Sequence, residues 1–259
     1  MSYFRRVSAH SYRATAHTGG AWNTAEQHIA PSFGLLAHAI ETDRDTRGQG
    51  HLVIGRLGYD ILGTVPVDVD VDIEVRVLRL GRTIELVEAT LAHRGRAVVL
   101  ARAWLMQAYD TAALRGSTLP PIPPPQQLAD WDPSAVWPGG FIASAQVRRA
   151  EVEPGRAAYW VRTALPLLDC EPVSPLARAA GLLDIANGMT VRADPQAVAF
   201  PNLDLTAHFF AAPTGEWLGF DTAVSFGPAG IGLTHSIIHD QTGPIGAVSQ
   251  ALTVRPSAP

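Results

Sequence analysis

Two apolar helical segments hold corresponding places in the two halves of this 259-residue chain, and that repetition of order limits the folds open to it. GLLAHAIE, residues 34–41, follows an extended stretch at 11–17; ARAAGLLDIA, residues 177–186, follows extended stretches at 141–150 and 157–164. Each helix is then followed by four stretches of strand character, at 51–62, 66–78, 83–93 and 97–109 in the first half and at 200–210, 216–226, 232–239 and 244–254 in the second. Residues 66–78 alternate most cleanly. Val67, Val69, Val71, Ile73, Val75 and Val77 fall on one side and Asp68, Asp70, Asp72, Glu74 and Arg76 on the other, the period of a strand with one wet face. Gly81-Arg82 and Arg94-Gly95 sit where hairpin turns are needed.

A strand, an apolar helix and an antiparallel meander, repeated, predict an α+β protein built by internal duplication. A long helix wrapped by a curved antiparallel sheet is the hotdog arrangement, and two copies make a double hotdog. The expected division is an N-terminal unit over 1–112, a linker over 113–140 and a C-terminal unit over 141–259. The linker is rich in proline, which fixes φ and removes backbone donors, and its Trp131 and Trp137 predict that it packs on the domains.

The second helix has the clearer signals. Ser174 suits the N-cap and Pro175 the first helical position. Leu176, Ala180, Leu183 and Asn187 then share one face, and Gly188 supplies a stop. The chain becomes extended again through Leu203, Leu205, Ala207 and Phe209, with Asp204 on the opposite face of that strand. In the first half, Thr24 to Gln27 has the spacing of a capping box, a helix is expected from Pro31 to about Glu41, and 42–50 reads as a loop.

Composition excludes several chemistries. The chain has no lysine, so P-loop, Schiff-base and kinase lysines are out. The formal net charge of −4 and the lack of a basic block argue against nucleic acid. Cys170 is the one cysteine and is read as structural, so no intramolecular disulfide is possible. Residues 1–16 show no signal-peptide core and no apolar run is long enough to span a bilayer, so a cytoplasmic protein is expected. No cofactor or metal is expected. The acidic run from Asp68 has Ile73 where a calcium loop needs glycine, and His235 and His239 fall on a strand with no accompanying glutamate. No Gly-x-Ser-x-Gly elbow is present.

The runs FPNLDLTAHFFAAPTGEWLGFD and GPAGIGLTHSIIHDQTGPIGAVSQALTVRP resemble the C-terminal hotdog of TesB-like, or type II, acyl-CoA thioesterases. The resemblance covers the whole chain in outline and is sharpest from Ser174 to Pro256. It implies a double hotdog that hydrolyses acyl-CoA thioesters with an Asp, a Thr or Ser, and a Gln from the second half. By that resemblance the acid is Asp204, the hydroxyl Ser225 with Thr222 as the substitute, and the amide Gln250. Where many relatives carry a His-Gly-Gly-like approach to the first helix, this chain has Gln27-His28-Ile29-Ala30-Pro31.

The chemistry would be attack by water, with the carboxylate as base, a hydroxyl and an amide holding the water, and backbone N–H groups at a helix N-terminus receiving the carbonyl oxygen. Two other functions are kept open: a hotdog enoyl-CoA hydratase or dehydratase, for which Asp204 and His208 are offered, and a non-catalytic acyl or acyl-CoA binding protein. Asp184, an acid within the second helix, is read as capping a buried polar contact or facing a neighbour. Exposed sheet edges predict a homo-oligomer.

Overall fold

In the computed structural model, which describes residues 1–257, the first half runs β1 (Phe4–Arg6), β2 (Ser11–Ala14), α1 (Ile29–Thr46), β3 (Leu52–Ile61), β4 (Asp70–Arg79), β5 (Ile84–His93) and β6 (Arg96–Gln107). The second contains β7 (Ala129–Trp131), α2 (Gly140–Ser144), β8 (Ala145–Glu153), β9 (Arg156–Thr163), α3 (Pro175–Ala180), a 3-10 turn (Leu183–Ile185), α4 (Ala186–Met189), β10 (Val198–Ala199), β11 (Asp204–Phe209), β12 (Leu218–Phe226), β13 (Ile231–Asp240), β14 (Gly243–Thr253) and β15 (Arg255–Pro256).

Thirteen strands form one sheet in the order β1-β2-β4-β5-β6-β3-β11-β14-β13-β12-β9-β8-β7. Its two halves repeat one topology. The strand before each helix lies outermost among the repeated strands, and the strand after each helix lies at the centre, where β3 and β11 pair antiparallel and join the halves. This is the double hotdog that the repeated order predicted.

The helices lie against the concave face. Phe33, Leu36, Ala37 and Ile40 on α1 are fully buried, and Phe33 stacks on Tyr59 of β3 at 4.0 Å. Burying such side chains contributes about 1.5–3 kcal/mol each. Two glycines set how closely the helical segments cross. A Cβ on Gly34 would stand 2.7 Å from the Ala177 carbonyl oxygen and 2.9 Å from the Gly181 Cα, so backbone meets backbone here.

Three expectations fail locally. The first helix does not end near Glu41. It continues to Thr46, because Thr42 and Thr46 bond back to the carbonyls four residues earlier and Arg47 pairs with Asp43 at 2.8 Å, so a polar turn is held without apolar contacts. Its cap is not the Thr24 box. His28 caps it, with Nδ1 accepting from the Ala30 amide at 3.2 Å. The second helix is not continuous either: it breaks at Gly181, tightens into a 3-10 turn carrying Asp184, and resumes as α4.

The proline-rich segment packs on the second half. Trp137 is buried and its indole N–H donates to the Gly188 carbonyl at 2.7 Å, while β7 within that segment pairs with β8.

Candidate active site

The concave faces of the two half-sheets differ in chemistry. In the first half, β5 and β6 turn Val87, Ala89, Leu91, Val99, Ala101, Ala103 and Leu105 inward. In the second, the corresponding face carries Thr222, Ser236, Thr234 and Gln250, all at most 1% exposed. Thr222 and Ser236 satisfy each other at 2.7 Å, and Thr234 pairs across the ladder with Gln250. The first half buries Glu85 on this face, but Arg47 pairs with it at 3.0 Å; the neutral polar cluster of the second half faces Asp184 instead and marks the candidate site.

Gln250 points at the second helical segment, where its Nε2 donates to Asp184 Oδ1 at 3.0 Å. Asn202, in the loop before β11, donates through Nδ2 to the same oxygen at 2.6 Å and to the Asp204 backbone carbonyl at 3.0 Å. Oδ1 is thereby pinned by two amides. Oδ2 lies 3.8 Å from Nδ1 of His28, which reaches across from the first half. Burial raises the Asp184 pKa to about 7 against the opposing pull of the Asn202 and Gln250 hydrogen bonds. Burial also lowers the His28 pKa to about 4, so that ring is neutral near pH 7. His28 packs on Phe141 with ring centres 4.4 Å apart.

Asp184 and His28 line a cavity of about 20 Å³ together with Trp22, Trp137, Ile142 and Met189. A water needs roughly 10–15 Å³, so this space fits one. Trp22, 46% exposed, forms its outer wall, edge-on to Trp137 at 4.7 Å and to Phe200 at 5.3 Å. A larger cleft of about 570 Å³ lies against the other end of the broken helix. Leu165, Leu167, Ala179, Leu182 and Leu218 line its interior, and Arg178 stands at its edge.

Of the three residues expected to converge, only Gln250 is here. Asp204 lies on β11 opposite Asp60 of β3, and its side chain accepts from the Ala251 amide at 2.6 Å. Leu205 and Ala207 take the inward positions of that strand, so strand alternation turns Asp204 away. Ser225 is exposed on β12 for the same reason, since Val224 beside it faces in. Thr222 does face in, but its hydroxyl is bonded to Ser236, and the side-chain hydrogen bonds of Asp184 come from Asn202 and Gln250. His208, offered with Asp204, is exposed. The acid that Gln250 meets is Asp184. The signal for it was a single carboxylate inside the otherwise apolar run LLDIA. Among the described residues no group of three or more His, Cys, Asp or Glu side chains is placed to hold a metal.

The family model of the acyl-CoA thioesterase N-terminal domain matches residues 18–106, and that of the acyl-CoA thioesterase C-terminal domain matches residues 118–254. A search of curated proteins returned no match. Among solved structures, a hotdog-fold protein of unknown function from Alicyclobacillus acidocaldarius is similar at TM-score 0.75 and 16% identity, covering 98% of this chain and 96% of that one. The acyl-CoA thioesterase II TesB2 from Mycobacterium marinum is similar at TM-score 0.71 and 17% identity, again over 98% and 96%. More distantly, a dehydratase domain from the CurJ module of the Curacin polyketide synthase matches at TM-score 0.58 and 12% identity, over 96% and 94%. These structures share the fold, and the two family models together span most of the chain. The chain belongs to the acyl-CoA thioesterase family, with an N-terminal and a C-terminal thioesterase domain in one double hotdog.

Proposed function

We propose that the protein hydrolyses an acyl-CoA thioester with water activated by Asp184, not Asp204. One observation carries this reading: a buried carboxylate has one oxygen pinned by two amide donors and lines a cavity that fits a water. Asn202 and Gln250 hold Oδ1, which leaves Oδ2 to take the proton. Gln250 Oε1 is buried without a protein partner beside Asp184 although it does not line the small cavity, so it would accept the second hydrogen of the attacking water once substrate entry opens the site. Water then adds to the thioester carbonyl, the carbon–sulfur bond breaks, and the proton held by Asp184 goes to the departing thiolate. A base with a pKa near the working pH combines a populated basic form with useful proton affinity.

The acyl chain is assigned to the 570 Å³ cleft, because Leu182, two residues before Asp184, forms part of its apolar wall. The 20 Å³ cavity is too small for the thioester itself, so the exposed Trp22 ring moves aside as substrate enters. Thiol release from a panel of acyl-CoAs tests the reading. Wild type turns over, and Asp184→Asn falls by about a hundredfold or more; equal rates would remove Asp184 from the chemistry.

A hydratase would use His28 and Asp184 as a base–acid pair, and their proximity gives that reading a basis. It is disfavoured by the His28 cap, since Nδ1 already accepts the Ala30 amide and the neutral ring then carries its hydrogen on Nε2. For self-association, support comes from Val53, Met106 and Ile84, exposed and paired side by side across three strands. No helix among the described residues is long and apolar enough to cross a membrane.

A further inference from the structure

We propose that His28 is a catalytic residue of this reaction and acts as a neutral hydrogen-bond donor to the thioester carbonyl oxygen. The inference rests on the hydrolase reading above and assigns a role to the altered approach to the first helix. The Ala30 amide donates to Nδ1 at 3.2 Å, so Nδ1 holds a lone pair and the neutral ring must carry its hydrogen on Nε2. Helix capping thus fixes the tautomer. No hydrogen bond to Nε2 is made among the described residues, while the ring lines the same cavity as Asp184. The ring is held in place by Phe141 on one side and by the cap on the other.

Position also favours this role. Asp184 Oδ2 is 3.8 Å from Nδ1, and Nε2 lies across the ring from Nδ1. With the ring this close to the base and bordering the same cavity, the carbonyl oxygen is assigned to Nε2–H, the nitrogen the cap leaves free. Burial disfavours the imidazolium, so the donor stays uncharged and does not form an ion pair with the Asp184 carboxylate. A neutral imidazole N–H can polarise a carbonyl while a separate carboxylate acts as base. No proton leaves His28. As the tetrahedral intermediate forms, negative charge grows on the carbonyl oxygen and the N–H bond shortens its contact. As the carbon–sulfur bond breaks, the contact relaxes.

His28→Asn separates the two jobs of the ring, because asparagine is a strong N-cap and can still accept the Ala30 amide but does not reach the Nε2 position. The expected result is a kcat lower by about a hundredfold to a thousandfold, the range seen when one oxyanion donor is removed, with KM and Tm little changed. Nitrogen NMR of the wild type should show His28 with its hydrogen on Nε2 and the ring neutral at pH 6. Affinity for a difluoromethylene ketone analogue, in which CF2 replaces the thioester sulfur and the hydrated carbonyl resembles the tetrahedral intermediate, should fall at least tenfold in His28→Asn. If wild type cleaves no acyl-CoA but that loss of affinity is seen, the hydrolase reading fails and the donor role survives. Unchanged kcat and analogue affinity in His28→Asn, or a hydrogen found on Nδ1, would overturn the proposal.

Discussion

Asp184 and Gln250, 66 residues apart, meet at 3.0 Å where the tightened second helix crosses the inward face of β14. That contact ties the acid to the sheet, and its loss should be felt in two ways. Gln250→Leu removes a donor that favours the carboxylate, so the Asp184 pKa should rise above its present value. The rising limb of kcat/KM against pH should move to higher pH, and kcat should fall about tenfold or more because the water loses its second acceptor. Gln250→Glu should move the limb further, since two carboxylates would then share the site.

Stability against pH should separate the two buried titrating groups. Asp184 has its pKa raised from 3.8 to about 7, so the folded state holds a proton that the unfolded state has lost. Its contribution is present in full below pH 4 and is lost as pH rises to about 7, on the order of 4 kcal/mol in total. His28 has its pKa lowered from 6.5 to about 4, so its contribution runs the other way. It is present above pH 6.5 and is lost as pH falls to about 4, on the order of 3 kcal/mol. In wild type the two slopes oppose each other between pH 4 and 6.5. Urea unfolding should show Asp184→Asn gaining stability with rising pH in that window, and His28→Asn losing it.

Asn202, and not the expected hydroxyl of Ser225 or Thr222, is the second group bonded to the acid. Asn202→Ala should remove the 2.6 Å hydrogen bond to Oδ1 and move the acid limb to higher pH. Asn202→Ser should recover part of the activity lost in Asn202→Ala, because a hydroxyl can still donate to the carboxylate. Equal pH profiles for all three proteins would show that Asn202 does not tune Asp184.

The helix crossing offers a test that is independent of catalysis. Gly34→Ala places a methyl 2.7 Å from the Ala177 carbonyl oxygen, where only backbone can move. The expected cost is about 1–3 kcal/mol by denaturant unfolding. Gly48→Ala is not a control for packing, because Gly48 has a positive φ. Gly116→Ala is, since a Cβ there meets nothing within 4 Å.

The fold was legible because it depends on period and order. The valine alternation in 66–78 and the two apolar helices each report a local choice, and their repetition reports the architecture. The site was half legible. Gln250 was named by the family resemblance, and its interruption of the apolar face of the last strand agreed with that. Asp204 was attractive for opening a strand, yet the same alternation that defined the strand already turned it outward. Asp184 was harder to find, because an acid inside LLDIA reads as an error in an apolar helix until the opposing strand supplies Gln250 and the loop supplies Asn202. His28 was hidden for a related reason: its ring nitrogen does the work of a cap that the Thr24 spacing had claimed.

The most direct test compares thiol release by wild type, Asp184→Asn and Asp204→Asn between pH 5 and 9. The account predicts that wild-type kcat/KM climbs through an apparent pKa near 7, that Asp184→Asn loses about a hundredfold or more, and that Asp204→Asn stays within about twofold of wild type. A silent Asp184→Asn beside a disabled Asp204→Asn would contradict it.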